Sequence, residues 1–132
     1  MTRGHIQVRF LSLFQDLAWA LGMDCLVETR SRNEIDKAME TGAKIIGINN
    51  RNFETLKIDL ATTEELAPLI REYDLDHGTS HIIISESGMN SSGDVRRVMQ
   101  AGADAVLIGS ALMESDSVFE KTKKFVQSFC WR

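Results

Sequence analysis

Four short apolar runs punctuate the chain. Ile82-Ile83-Ile84 leads to the small polar turn Ser87-Gly88, and Ala105-Val106-Leu107-Ile108 leads to Gly109-Ser110. Ile45 to Ile48 ends in Asn49-Asn50-Arg51, and Cys25-Leu26-Val27 ends at Glu28. Continuous runs of this length suit parallel strands covered on both faces.

Between the strands the apolar spacing turns helical, and a polar pair opens each helix. Ser12 with Gln15, Ser31 with Glu34, Thr62 with Glu65, Ser91 with Asp94 and Ser117 with Glu120 have capping-box spacing. The first helix is expected to turn Leu13, Leu17, Ala20 and Leu21 inward and to stop at Gly22. The second turns Ile35, Ala38 and Met39 inward and stops at Gly42. Pro68 is expected to shorten or bend the third, leaving Glu72 to Ser80 as a polar connection. The last places Val118, Thr122, Phe125, Val126 and Phe129 on one face. Residues 1–11 are least regular: Ile6, Val8 and Phe10 alternate weakly, as in a strand remnant or an irregular segment.

The order strand, capped helix, glycine, strand implies parallel strands with right-handed helical crossovers. Ile35 to Ala43 echoes Val95 to Ala103 at an offset of 60 residues, with Met39, Gly42 and Ala43 matching Met99, Gly102 and Ala103. Each period holds two strand-helix units, so the chain holds four. A closed barrel of this kind has eight strands in about 250 residues. The expectation is a single α/β domain over 1–132 amounting to half a barrel. Its inner face, containing Leu26, Ile46, Ile83 and Val106, would stand open.

Composition adds little beyond ordinary globularity: 132 residues, 43% hydrophobic, 26% charged and a net charge of -4. Nothing basic points to nucleic acid, and no apolar run approaches a membrane span. The first ten residues lack the uninterrupted apolar core of a secretory signal. Cys25 and Cys130 fit a reducing cytoplasm better than a disulfide scaffold.

Chemistry in such folds gathers at the C-terminal strand ends. Glu28, after an apolar strand, can have its pKa raised by burial towards general-base use, or can simply pair with Arg30 or Arg51. Asn49 and Arg51, two apart, face one side, where Arg51 can clamp a carboxylate and Asn49 a hydroxyl. Asn50 reads as a structural strand exit. Glu86 can orient a reacting group or pair with Arg51. The two glycine-serine turns, with Ser87, Gly88, Gly109 and Ser110, offer backbone N–H groups to an anion such as a phosphate monoester. His77 and His81 lack a metal-site pattern and read as loop residues. Met39 and Met99 read as core, and Lys121, Lys123 and Lys124 as a solvated face.

Taken together, LGMDCLVET (21–29), GAKIIGINNRNFETLKIDL (42–60), TTEELAPLI (62–70), SESGM (85–89) and AGADAVLIGSALM (101–113) resemble the C-terminal half of indole-3-glycerol phosphate synthase. GINNRN and SESG in this order and spacing are the specific part, and GINNRN disfavours a phosphoribosyl isomerase relative. The resemblance implies a partial (β/α)8 TIM barrel of about four C-terminal units. It implies a carboxy-lyase of tryptophan biosynthesis that closes an indole ring on 1-(2-carboxyphenylamino)-1-deoxyribulose 5-phosphate, with loss of carbon dioxide and water. It implies no metal and no organic cofactor.

By the same resemblance Glu28 is the general base, Asn49 and Arg51 hold substrate hydroxyl and carboxylate, and Glu86 and Ser87 line the pocket. Gly88, Gly109 and Ser110 take the phosphate. The family's lysine general acid, and a second lysine with a glutamate, belong to strands of the N-terminal half. The lysines here, at 37, 44, 57, 121, 123 and 124, are not expected at catalytic strand ends. The competing expectation is a non-catalytic phosphate-binding half-barrel. The partners expected are a small phosphorylated substrate and either a second copy or a complementing N-terminal half-barrel.

Overall fold

A computed structural model describes residues 3–129. Its elements run α1 (Arg3–Ala20), β1 (Leu26–Thr29), α2 (Arg32–Glu40), β2 (Ile45–Asn49), α3 (Ala61–His77), β3 (Ile82–Glu86), α4 (Ser92–Gln100), β4 (Ala105–Leu107), α5 (Ser110–Met113) and α6 (Val118–Gln127). The four strands form one parallel sheet in sequential order. All lie side by side, so the C-terminal ends of β1 to β4 make one rim. Cys130 lies outside the described residues.

Register decides which residues face which way. Val27 pairs with Ile46 and Ile46 with Ile83, while Glu28 pairs with Gly47 and Gly47 with Ile84. Alternation then puts Val27, Ile46, Ile48 and Ile83 under the helices, where they join Ile35, Ala38, Leu66 and Ile70 in one core. Val106 packs on the same side with Val95, Val98 and Phe125 in a second. The opposite, open face carries Leu26, Glu28, Ile45, Gly47, Asn49, Ile82, Ile84, Glu86 and Leu107. The expectation that Ile46, Ile83 and Val106 stand open is therefore corrected. A one-residue shift in reading a strand flips its faces, and uninterrupted apolar runs carry no alternation to fix it. Only Leu26 of that set is on the open face, 44% exposed beside Ile82 at 50% and Leu107 at 56%.

The 60-residue echo is structural. Ile35 and Ala38 of α2, like Val95 and Val98 of α4, are buried. Both helices end in a glycine with positive φ, 72° at Gly42 and 118° at Gly102, followed by buried Ala43 and Ala103. Met39 and Met99 pack partly buried on the cores. Ser31, Ser91 and Ser117 cap as expected, accepting from Glu34, Asp94 and Glu120 N–H at 3.3, 3.2 and 3.3 Å.

Several expectations about the helices change. Residues 3–11 are neither irregular nor a strand: they are the first turns of α1. Ile6 and Phe10 are four apart as well as alternating, and no Gly or Pro separates His5 from Leu21, so nothing stops the helix. Ser12 is then mid-helix, and its hydroxyl donates back to the Val8 carbonyl at 3.0 Å instead of capping. The expected inward stripe of α1 also faces out. Leu13, Leu17 and Leu21 are exposed with Phe10 and Phe14, while Gln15 is buried and Leu11 meets the core. Similarly, α6 buries Phe125 but leaves Val118 and Val126 exposed.

The third helix is longer than expected. Leu60, not Thr62, is its N-cap, with the Asp59 carboxylate accepting from Ala61 N–H at 2.9 Å, and it runs through Pro68 to a left-handed Gly78. Residues 72–77 are helical because the polar stretch has an inward anchor. Asp74 is buried and takes hydrogen bonds from Thr79 Oγ1 and the His81 N–H. A hydrogen bond between its carboxylate and the His81 ring ties the helix end to the entry of β3. Burial opposes its charge, but these bonds prevail and hold the carboxyl below its usual range. His81 is thus a structural side chain, and His77, in α3, stacks on Tyr73 with ring centroids 3.9 Å apart. Among the described residues no cluster of three or more metal-ligating side chains occurs, and no helix is long and apolar enough to cross a membrane.

Candidate active site

The rim of β2, β3 and β4 opens on a cleft of about 500 Å3. Asn49, Arg51, Glu86, Ser87, Gly88, Gly109 and Ser110 all line it, with Ile58, Met89 and Asn90 beside them. Seven of the eight residues singled out from sequence thus converge. The eighth, Glu28 on β1, joins through Asn49, whose Nδ2 donates to Glu28 Oε1 at 3.0 Å. Asn49 Oδ1 accepts from the Arg51 N–H at 2.9 Å, which fixes the amide's orientation and leaves Nδ2 pointing at the carboxylate. Arg30 lies 3.6 Å from Glu34, so it is Asn49 that partners Glu28.

The rim carboxyl raised above its usual range is Glu86. Glu28 stands on an edge strand and is exposed, whereas Glu86 on inner β3 is 4% exposed. Burial pushes the Glu86 carboxyl from 4.5 up to about 7, and the charge of Glu28 and a hydrogen bond with it act in the same direction. Such a group holds a proton near neutral pH and can give it up or take it back. Its Oε1 has no hydrogen-bond partner among the described residues.

Behind the rim, Asn50 is a clasp. Its Nδ2 donates to Ser85 Oγ and to the carbonyls of Glu86 and Ser87, each at 3.0 Å. Its Oδ1 accepts from the Thr63 hydroxyl at 2.8 Å and the Thr63 N–H at 3.2 Å. This ties β2, β3 and α3 together and is the structural role expected of it. Thr63, fully buried, escaped the sequence reading because one threonine in a helix carries no signal of its partner.

The two glycine-serine turns differ physically. Ser87 and Gly88 have φ of 67° and 88°. A Cβ on Gly88 would lie 2.4 Å from Ile58 Cγ2, so glycine is required there twice over. Gly109 has φ of -119°, with nothing within 4 Å of an added Cβ. Backbone conformation therefore does not demand glycine at 109. Ser110 begins α5, a single helical turn where the sequence predicted only a glycine-serine turn. The six lysines lie in α2 (Lys37), before β2 (Lys44), in the β2–α3 loop (Lys57) and in α6 (Lys121, Lys123, Lys124). None lines the cleft.

Comparison with known proteins gives a consistent neighbourhood. The family model described as indole-3-glycerol phosphate synthase matches residues 5–125. The indole-3-glycerol phosphate synthase of Methanocaldococcus jannaschii is 49% identical over 86% of this chain and 40% of its own length. That of Aquifex aeolicus is 39% identical over 84% of this chain and 41% of its own. The chain thus spans about two fifths of the curated relatives it matches. Among solved structures, thiamine phosphate pyrophosphorylase from Pyrococcus furiosus superposes with a TM-score of 0.67 over 89% of this chain and 52% of that one, at 15% identity. The Amycolatopsis orientalis BexX/CysO complex gives a TM-score of 0.61 at 19% identity, a likeness of fold alone.

Proposed function

The chain belongs to the indole-3-glycerol phosphate synthase family, and on that premise we propose that it forms the base-bearing and phosphate-bearing part of such an active site. The observation that supports this best is the meeting of Asn49, Arg51, Glu86, Ser87, Gly88, Gly109 and Ser110 on one cleft, with Glu28 held to Asn49. The substrate proposed is 1-(2-carboxyphenylamino)-1-deoxyribulose 5-phosphate. Arg51 receives its carboxylate, the Gly88 and Gly109-Ser110 turns receive its phosphate, and Asn49 meets a hydroxyl.

Ring closure joins an aromatic carbon to the ketone carbon, releases carbon dioxide and then water. Protons must reach the ketone oxygen and the departing hydroxyl, and one must be removed as the indole becomes aromatic. Glu28 is the base in this reading, and Glu86 stores a proton at neutral pH beside it. Protonation of the ketone oxygen is the step with no lysine at this rim to serve it. Loss of a positioned general acid costs about 10²–10⁴-fold in rate.

The chain is therefore proposed to act with further strands bearing that lysine, in a cytoplasmic biosynthetic setting. The test is indole-glycerol phosphate formation, followed by fluorescence, with the purified chain alone and after adding an N-terminal half-barrel from a full-length relative. Expected are substrate binding with little turnover alone and recovery on complementation. Turnover alone within tenfold of a full-length synthase would refute the partial-site reading. Failure to bind the substrate in either setting would refute the proposed site.

A further inference from the structure

Gly47 occupies the middle of β2 on the open face, in register with Glu28 on β1 and Ile84 on β3. A glycine inside a strand weakens it unless something approaches the backbone closely. Here it is Glu86. A Cβ built on Gly47 would lie 2.0 Å from Glu86 Oε1, 3.0 Å from its Cδ and 3.3 Å from Leu26 Cδ1. The Glu86 carboxyl thus lies back across β2, in the space any other residue would fill. That oxygen is buried and lacks a hydrogen-bond partner among the described residues.

We propose that Gly47 is a positioning residue of this rim: its missing side chain forms the seat that holds the Glu86 carboxyl against the sheet and beside Glu28. With the seat filled, the carboxyl must swing towards the cleft and solvent, away from its neighbour. Seating explains two features together. It removes Glu86 from water, and it holds the carboxyl beside Glu28, and both effects favour the protonated form of Glu86. Groups facing Glu86 are Glu28 from β1, Asn49 and Arg51 at the end of β2, and from β4 only Leu107, which does not titrate. Burial in the seat and the neighbouring Glu28 both favour the protonated form of Glu86.

The readout is the titration of the Glu86 carboxyl by carbon-13 NMR on the native chain, its resonance assigned by loss in Glu86→Gln. It is independent of turnover, so its failure is distinct from failure of the proposed activity. Gly47→Ala is expected to lower the Glu86 midpoint by roughly one pH unit or more as the carboxyl is rehydrated. Glu28→Gln, an exposed change that leaves the seat intact, should lower it by a smaller amount. A midpoint unchanged in folded Gly47→Ala overturns the proposal.

If Gly47→Ala folds poorly, a double-mutant comparison decides. The fall in Tm caused by Gly47→Ala should shrink to less than half in a Glu86→Ala background, where the seat has no occupant. An equal fall in both backgrounds shows that Gly47 serves the strand alone, and also overturns the proposal.

Discussion

Asn49 Nδ2 donates to Glu28 Oε1 at 3.0 Å, joining the edge strand to the strand beside it at the rim. The Arg51 N–H on Asn49 Oδ1 makes this a fixed donor, not a free amide. Asn49→Asp would place a third carboxyl against Glu28 and Glu86. The cluster should then bind an additional proton above the ordinary carboxylate range. Proton uptake on folding, measured by potentiometry at pH 7, should rise relative to the native chain, and an unchanged value would contradict the contact.

Glu86 sets a pH dependence of stability. Its folded-state pKa of about 7 lies above the 4.5 of the free group. Between those values the folded chain binds more protons than the unfolded chain, so this contribution falls as pH rises through the window and is flat above it. The full span is about 3 kcal/mol. Glu86→Gln cannot ionise, so urea unfolding should show it more stable than the native chain at pH 8 and close to it at pH 4.5. Parallel profiles for the two proteins would mean that Glu86 titrates normally.

Removing the clasp should be costly. Asn50→Ala leaves Thr63 and Ser85, both fully buried, without the amide they bond. Two or more buried polar groups losing partners cost about 2–4 kcal/mol together. Asn50→Asp is no rescue, since it replaces the donor to three oxygens with a charge. Chemical denaturation checks both.

The two phosphate turns should respond oppositely to a methyl group. Gly88→Ala meets Ile58 at a positive φ and should destabilise by about 1–3 kcal/mol. Gly109→Ala meets nothing and should change stability by less than about 0.5 kcal/mol. A larger residue at 109 that lowers affinity for inorganic phosphate, read by ligand-observed NMR with the fold intact, supports the anion site there. Unchanged affinity removes Gly109 from it.

Self-association is the fifth expectation. Both edge strands, β1 and β4, have one unpaired side in the sheet. Phe10, Leu13, Phe14, Leu17 and Leu21 form an exposed stripe along α1, and Leu26, Ile82 and Leu107 lie exposed on the open face. Light scattering with size exclusion at micromolar concentration should give a mass above the 14.8 kDa of one chain. A sharp peak at that mass, with no binding of a hydrophobic dye, would contradict it.

Glycine stops, serine caps and short apolar runs fixed the four strand-helix units and their parallel order by sequence alone, because those signals are local. The rim residues were legible too, since a strand's C-terminal end follows from where its apolar run stops. Tertiary structure decided the rest. Which face Ile46 and Ile83 take depends on register, and an unbroken apolar run has none until a neighbour supplies it. The outward turn of Leu13 and Leu17 depends on what α1 packs against, not on its spacing. And Glu86 keeps its proton near neutrality because β3 is an inner strand and Gly47 leaves room for its carboxyl against the sheet.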